Sequence, residues 1–349
     1  MRGVCFQRVE QVGLETIPDP APIRPTDAVV AVSLAGLCGS DLHPFFGREA
    51  GLDPGTVMGH EFVGRVVAAG ADVRGFAVGD RVCAPFTTSC GQCFYCQRGL
   101  SARCEHGELF GWRNGGDGLH GGQAEFVRVP LADGTLVAIP EEVDDETALL
   151  LGDNLSTGYY CARLAAVEPG SIVAVIGCGT VGLLSIAWAQ RFDAARVFAF
   201  DPVDERRSLA ERVGAETAAD EAAFTTAVLE ATAGRGADAV MEVVGLPAAQ
   251  RLGFELLRPG GTLAAIGCHA EPRFAFTPGD AYDKNLVYRT GRCPARRLMP
   301  RLARELARRP LDLDWCVTHR FRLGDGVAAY EVFAGRRDGC IKAVLQTTD

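Results

Sequence analysis

The chain has 349 residues, a formal net charge of −9 and a sequence pI near 5.3, with 48% hydrophobic and 23% charged residues. That composition suits a soluble globular protein of about two domains, each with its own core. The acidic balance argues against nucleic acid or an anionic membrane as partner. Met1 to Pro20 carries charges and prolines and no apolar h-region, so no signal peptide is read. Thirteen cysteines without such a signal point to a reducing compartment, the cytoplasm by default, where clustered cysteines bind metal more often than they form disulfides.

Prolines at 18, 20, 22 and 25 precede Ala28–Leu34, which reads as a strand interrupted by Gly36. A β-rich domain is expected to start here. Cys38-Gly39-Ser40-Asp41-Leu42-His43 follows, placing a thiol where a strand ends and a turn or short helix begins. Beside a metal, Ser40 would hydrogen-bond a ligand oxygen and Asp41 would accept the free N–H of a ligand imidazole. His43 would then pass a proton to solvent. From these six residues alone, a capped turn with a surface histidine is the better reading.

Gly59-His60-Glu61-Phe62-Val63-Gly64 lies 22 residues past Cys38 in a strand-like setting, with Val66, Val67, Gly70 and Val73 beyond. Gly64 and Gly70 would let the backbone turn or approach closely. Alone, His60 is more simply a hydrogen-bonded core histidine; with Cys38, a cysteine quartet and a nucleotide loop in the same chain, a metal ligand is the better reading. The quartet is Cys90-x2-Cys93-x2-Cys96-x7-Cys104, in a lobe spanning about 86–108. Four thiolates at these intervals can surround one tetrahedral Zn²⁺, and a lobe with little core gains folding energy from it. An iron–sulfur cluster is the competitor; the x7 gap and the lack of a proline after Cys104 favour zinc.

Gly122–Val129 reads as a strand, and the acidic run from Glu141 opens a helical pattern that reaches Gly152-Asp153-Asn154-Leu155-Ser156-Thr157-Gly158. The pattern then becomes β-α-β-α, with strands expected at 172–176, 196–200, 238–243 and 262–266. Ser171–Gln190 is apolar but contains three glycines, and divides into a strand and a helix rather than a membrane span. Its Gly177-Cys178-Gly179-Thr180-Val181-Gly182 follows a strand, opens a helix and precedes an acid, Asp201, by 19 residues. In that context the motif reads as a dinucleotide loop, with pyrophosphate facing the helix N-terminus. Asp201 would accept the adenosine-ribose hydroxyls and repel a 2′-phosphate, favouring NAD over NADP. Arg206 is placed to add a ribose or phosphate contact. Ala295–Arg309 carries leucines at 298, 302 and 306 and six arginines elsewhere, an amphipathic helix with a solvated side, with Pro300 in its first turns or interrupting it. Gly339–Leu345 closes as a strand. An α/β chain is expected: residues 1–154 and 291–349 form the β-rich domain and 155–290 the nucleotide domain, the two sharing a cleft.

Together these residues resemble, over nearly the whole length, the zinc-dependent medium-chain alcohol dehydrogenases (medium-chain dehydrogenase/reductase family). The resemblance implies a GroES-like β catalytic domain carrying a doubly wound Rossmann domain. It implies Cys38 and His60 as catalytic-zinc ligands and Ser40 and His43 as a proton relay. It makes Glu61 a transient ligand behind the metal, Lys342 a contact to the cofactor pyrophosphate, and Phe86, with Trp112, a wall of the substrate pocket. Thr157 and Cys268 join the candidate cofactor contacts by position. The family's usual third zinc ligand is a cysteine four residues before a Thr-Gly pair; Asp153 stands there, as in formaldehyde-dehydrogenase-like branches. The chemistry implied is hydride transfer between an alcohol and its aldehyde or ketone and NAD, with one catalytic and one structural zinc per chain, in a homodimer or homotetramer. Oxidation of a formaldehyde–thiol adduct or a polyol is the alternative within the class. A non-catalytic zinc- or redox-sensing protein, in which Cys38, His60 and Asp153 cannot hold metal, is the alternative outside it.

Overall fold

The computed structural model describes residues 1–268 and 273–347. The chain divides into two compact units, Met1–Ser156 with Pro294–Asp349, and Thr157–Cys293.

The first unit is built on Ala28–Gly36, a strand buried at nearly every position because it is paired along both edges. It lies antiparallel to Phe62–Ala69, to Phe126–Val129 and to Ala343–Gln346. The sheet runs in the order His319–Arg322, Ala343–Gln346, Ala28–Gly36, Phe62–Ala69, Arg81–Cys83, Val137–Ala138. Val30, Val32, Phe62, Val66, Val127 and Leu345 belong to its core. Gly64 faces Val32 across the ladder, and a Cβ there would lie 2.0 Å from the Ala31 carbonyl oxygen. At Gly70 a Cβ would lie 2.3 Å from the Pro25 carbonyl oxygen. Neither glycine is left-handed, so both are present for close backbone approach and not for a turn.

The second unit is a six-stranded parallel sheet in the order Glu216–Thr217, Arg196–Phe200, Ile172–Ile176, Ala237–Glu242, Leu257–Ala265, Val287–Thr290. Counted along the chain this is 3-2-1-4-5-6, the doubly wound order whose reversal of direction beside the first strand creates a crevice at the carboxyl strand ends. Val173, Ala174 and Val175 have no exposed surface, as a strand covered on both faces requires.

Several elements differ from the sequence pattern. The strand expected over 122–129 begins only at Phe126, because the amides of Gly121, Gly122 and Gln123 are bonded to the carbonyls of Val57, Gly59 and Met58. The closing strand is Ala343–Gln346, shorter at its start than expected. The helical run after Glu141 is two helices, Asp145–Gly152 and Asn154–Leu164, broken at Asp153 (φ −142, ψ −81). In Ala295–Arg308 the buried face is Ala295, Met299, Leu302, Ala303 and Leu306, so Leu298 lies on its flank. The helix runs through Pro300, which has no N–H to give the Arg296 carbonyl. Among the described residues no helix is long and apolar enough to cross a membrane.

The contact at Gly64 is against backbone, which cannot rotate away. Gly64→Ala is therefore expected to destabilise the first unit by about 1–3 kcal/mol, the usual range for overpacking. A melting midpoint unchanged from wild type would show that the two strands part at little cost.

Candidate active site

Three places where the chain changes direction bring the site together. Strand Ala28–Gly36 ends and a 3-10 turn, Gly39–Asp41, begins just past Cys38. Gly59, at φ +85, turns the chain ahead of His60, a conformation that favours glycine. The helix break at Asp153 supplies the third group. The ligand atoms of Cys38, His60, Glu61 and Asp153 all lie within 4.8 Å of one another.

Asp153 Oδ2 is 3.4 Å from Cys38 Sγ and 3.4 Å from His60 Nε2. Donors at zinc-ligand distances of ~2.0–2.3 Å around a tetrahedral centre stand about 3.3–3.5 Å apart, so this donor set fits such an ion. His60 is turned toward it by Asp41, whose Oδ1 accepts from Nδ1 at 3.0 Å and leaves Nε2 to the cluster. Asp41 Oδ2 accepts from the Cys38 amide at 2.9 Å, so one carboxylate braces both segments. Ser40 Oγ lies 3.2 Å from Cys38 Sγ and 3.3 Å from His60 Nε2. Phe86 is buried, its ring edge-on to His60 at 6.4 Å between centroids.

Burial and crowding shift the titratable groups of the cluster. Burial pushes the Cys38 thiol up, and the carboxylates of Asp153 and Glu61 push it further. Burial opposes a charge on His60, yet Asp41 and Asp153 hold its pKa well above the usual value. Glu61 is wholly buried; burial raises its carboxyl pKa against the pull of Lys342. Its Oε2 pairs with the Lys342 ammonium and fills the space where a Cβ on Gly36 would sit, while Oε1 has no hydrogen-bond partner among the described residues. Lys342 is 1% exposed, and the structure thus places its charge on Glu61 within the first unit. His43 is half-buried on the turn Leu42–Phe45, and burial, then Arg48, lowers its pKa. Trp112 lies in the hairpin Trp112–Asn114 and Asp117–Leu119, packed on the first unit's core. Phe110 packs edge-on against Phe62, and Gly111 lies against Gly59.

The four cysteines of the lobe converge separately, with Cys93 Sγ and Cys104 Sγ 3.9 Å apart, close to the ~3.8 Å edge of a thiolate tetrahedron. Backbone amides aim at the sulfurs: Cys93 N at Cys90 Sγ (3.3 Å), and Cys90 N and His106 N at Cys104 Sγ (3.2 and 3.4 Å). Amides of Cys96 and Glu105 bring the Cys93 thiol down to about 6, while burial and then thiol sharing with Cys93 push Cys96 up to about 12. One thiolate already favoured among four free cysteines suits metal binding.

In the second unit Gly177 is left-handed (φ +97). A Cβ at Gly182 would meet the Gly177 carbonyl oxygen at 1.9 Å, so only glycine lets the helix Thr180–Arg191 sit against its own loop. A Cβ at Gly179 would point into open space, and Gly179, at the N-cap, offers no side chain to the first amides of the helix, which opens with Thr180 and Val181. Asp201 is locked above the loop: Oδ2 accepts from the Cys178 amide (2.9 Å), Oδ1 from Val203 (3.0 Å), and Arg206 is 3.5 Å away. Thr157 opens this unit on a helix whose next residue, Gly158, packs against Leu184. Cys268 is exposed, its carbonyl closely packed on Gly245. These features fit a dinucleotide.

Residues 24–141 match the model of the alcohol dehydrogenase GroES-like domain, and residues 180–308 that of the zinc-binding dehydrogenases. Zinc-type alcohol dehydrogenase B of Aspergillus flavus is 42% identical over 342 residues, 95% of this chain and 78% of the relative. The chain belongs to the zinc-type alcohol dehydrogenase family. The NADP-dependent isopropanol dehydrogenase of Thermoanaerobacter brockii is 31% identical over 99% of both chains. The solved structure of alcohol dehydrogenase TADH from Thermus sp. ATN1 superposes with a TM-score of 0.94 at 36% identity, covering 100% of each. As in the family, the fold is a GroES-like domain with a Rossmann-like domain, and the protein is an oxidoreductase acting on alcohols and carbonyls. In the sensor alternative Cys38, His60 and Asp153 cannot hold metal; here their ligand atoms lie within 4.8 Å of one another.

If the two clusters each take an ion, purified protein carries two zincs per chain. Asp153→Ala is expected to lose one and keep the other, as read by elemental analysis after dialysis. Retention of both would remove Asp153 from the ligand set.

Proposed function

We propose that this alcohol dehydrogenase uses NAD and a catalytic zinc held by Cys38, His60 and Asp153, with a second, structural zinc in the lobe of Cys90, Cys93, Cys96 and Cys104. The observation that carries the reading is the equal spacing of Asp153 Oδ2 from Cys38 Sγ and His60 Nε2. When bound, zinc supplies the Lewis acidity that loosens an alcohol proton, and the nicotinamide supplies the hydride acceptor.

The chain's own residues do the rest. Ser40 Oγ, 3.2 Å from the sulfur and 3.3 Å from the imidazole, is the hydroxyl that takes a substrate proton in this reading. His43, kept largely neutral near pH 7 by its lowered pKa, is the acceptor that returns that proton to solvent. Glu61, tied to Lys342 through one oxygen, has its other oxygen unbonded among the described residues and is the reserve donor of this reading. Phe86 closes an apolar wall beside His60 and favours the carbon skeleton of a small alcohol over water.

NAD is preferred because Asp201 stays fixed over the loop, where a 2′-phosphate would meet its charge. Arg206 beside it tempers the preference, in keeping with the NADP use named for the T. brockii relative. Small alcohols, aldehydes and ketones are the substrates of this reading, and a homodimer or homotetramer its assembly.

The test is NAD and NADP reduction followed optically across simple alcohols, polyols, and formaldehyde with and without a thiol. Turnover of simple alcohols with NAD is expected; turnover confined to the thiol adduct or to polyols would replace the substrate assignment. Ser40→Ala is expected to lower kcat by about 10²–10⁴-fold, the range of a lost proton-transfer group, with both zincs retained. Wild-type kcat in that variant would reject the relay. Asp201→Ala is expected to narrow the NAD-to-NADP ratio of kcat/KM, and an unchanged ratio would place the discrimination elsewhere.

A further inference from the structure

Behind His60 a second buried layer runs away from the cluster, and nothing in the reaction uses it. Gln123 has no exposed surface and Tyr330 is 1% exposed. Gln123 Nε2 donates to the Gly36 carbonyl at 3.0 Å and, at a longer 3.4 Å, to Asp41 Oδ2. Its Oε1 accepts from the Tyr330 hydroxyl at 3.0 Å. Asp41 in turn holds His60 Nδ1 and the Cys38 amide. One amide side chain thus touches the backbone two residues before Cys38 and the carboxylate that orients His60.

The surrounding backbone is shaped to admit it. A Cβ on Gly59 would lie 2.4 Å from Gln123 Cγ, so the glycine that turns the chain into His60 also makes room for this side chain. The amide of Gln123 is bonded to the Met58 carbonyl, and its carbonyl accepts from Val4. All of the amide's hydrogen-bonding groups are engaged, which fixes which end is nitrogen. Tyr330 comes from the helix Gly326–Ala334, 207 residues along the chain, and its ring is set by Phe45 at 5.4 Å between centroids.

We propose that Gln123 and Tyr330 are positioning residues for the candidate metal ligands Cys38 and His60, acting through Asp41 and Gly36, and that they set how tightly this site retains its ion. The proposal rests on the catalytic-zinc assignment above. An imidazole whose Nδ1 partner wanders loses both its orientation and part of its basicity, and such outer partners ordinarily change metal affinity by about 10–100-fold. Gln123 stands one bond further out, so the lower end of that range is expected.

The experiment follows zinc release from the full-length zinc-loaded protein into a chromophoric chelator, resolving two populations. Gln123→Met keeps the length of the side chain and removes its hydrogen bonds; Tyr330→Phe keeps the ring against Phe45 and removes only the hydroxyl. Release of one zinc is expected to be about tenfold faster in Gln123→Met, and faster by a smaller factor in Tyr330→Phe. The four-cysteine zinc should leave at its wild-type rate in both, serving as the internal measure of intact folding. Wild-type release of both zincs in both variants, or equal acceleration of both zincs, overturns the proposal. If wild-type protein holds a single zinc, the catalytic-site assignment itself fails and the proposal falls with it.

Discussion

The first unit is organised by a concentration of negative donors in a place that water hardly reaches. Glu61 is fully buried, and Asp41, Asp153 and His60 are nearly so. An unpaired buried carboxylate costs several kcal/mol, more than most single contacts return. One ammonium, Lys342, answers one of these carboxylates. The His60 imidazole lies against Asp41 and Asp153, and the spacing of thiol, imidazole and carboxylate fits a tetrahedral ion among them. The surrounding glycines make room for this arrangement. Gly36 leaves space for Glu61, and Gly59 turns the chain so that His60 meets Cys38.

The second unit solves the opposite problem, presenting positive partial charge to an anion. Its means are backbone: a helix start with no side chain at its N-cap, open space beside Gly179, and a loop too tight for side chains at Gly182. Asp201 is bonded to that loop, and its two oxygens accept from the amides of Cys178 and Val203. A carboxylate so held cannot swing aside for a phosphate at small cost, and the proposed preference for NAD rests on that.

What the sequence makes legible is local. The glycine loop declares itself because its three glycines fall within six residues, and Gly182 is required by the Gly177 carbonyl inside the same loop. The cysteine quartet does so because four ligands fall within fifteen. Strands Ile172–Ile176 and Arg196–Phe200 stand where apolar runs between turns put them. The pairing of Lys342 with Glu61 spans 281 residues, and that of Tyr330 with Gln123 spans 207. No pattern within a window of sequence carries such partners. Gln123 was further disguised by its place in an apolar run that reads as strand, when its backbone is in fact bonded to the loop ahead of His60. The helix break at Asp153 was hidden too, since Leu149 to Leu155 is continuous in helical pattern.

That interruption also explains why aspartate, standing where the family more often has cysteine, requires a companion. A thiolate offers one sulfur, whereas a carboxylate offers two oxygens and can rotate to present either. Asn154, the next residue, donates from Nδ2 to Asp153 Oδ2 at 3.1 Å, the same oxygen that faces Cys38 and His60. Asn154 is itself 1% exposed, and its Nδ2 lies 3.8 Å from Cys38 Sγ. The amide therefore ties the carboxylate to the thiol and selects which oxygen points inward. Oxygen is a harder donor than sulfur and leaves more positive charge on a bound ion. As a ligand in the proposed set, Asp153 would keep the formal charge of a two-cysteine site and make it more strongly polarising, and Asn154 would keep that oxygen in place.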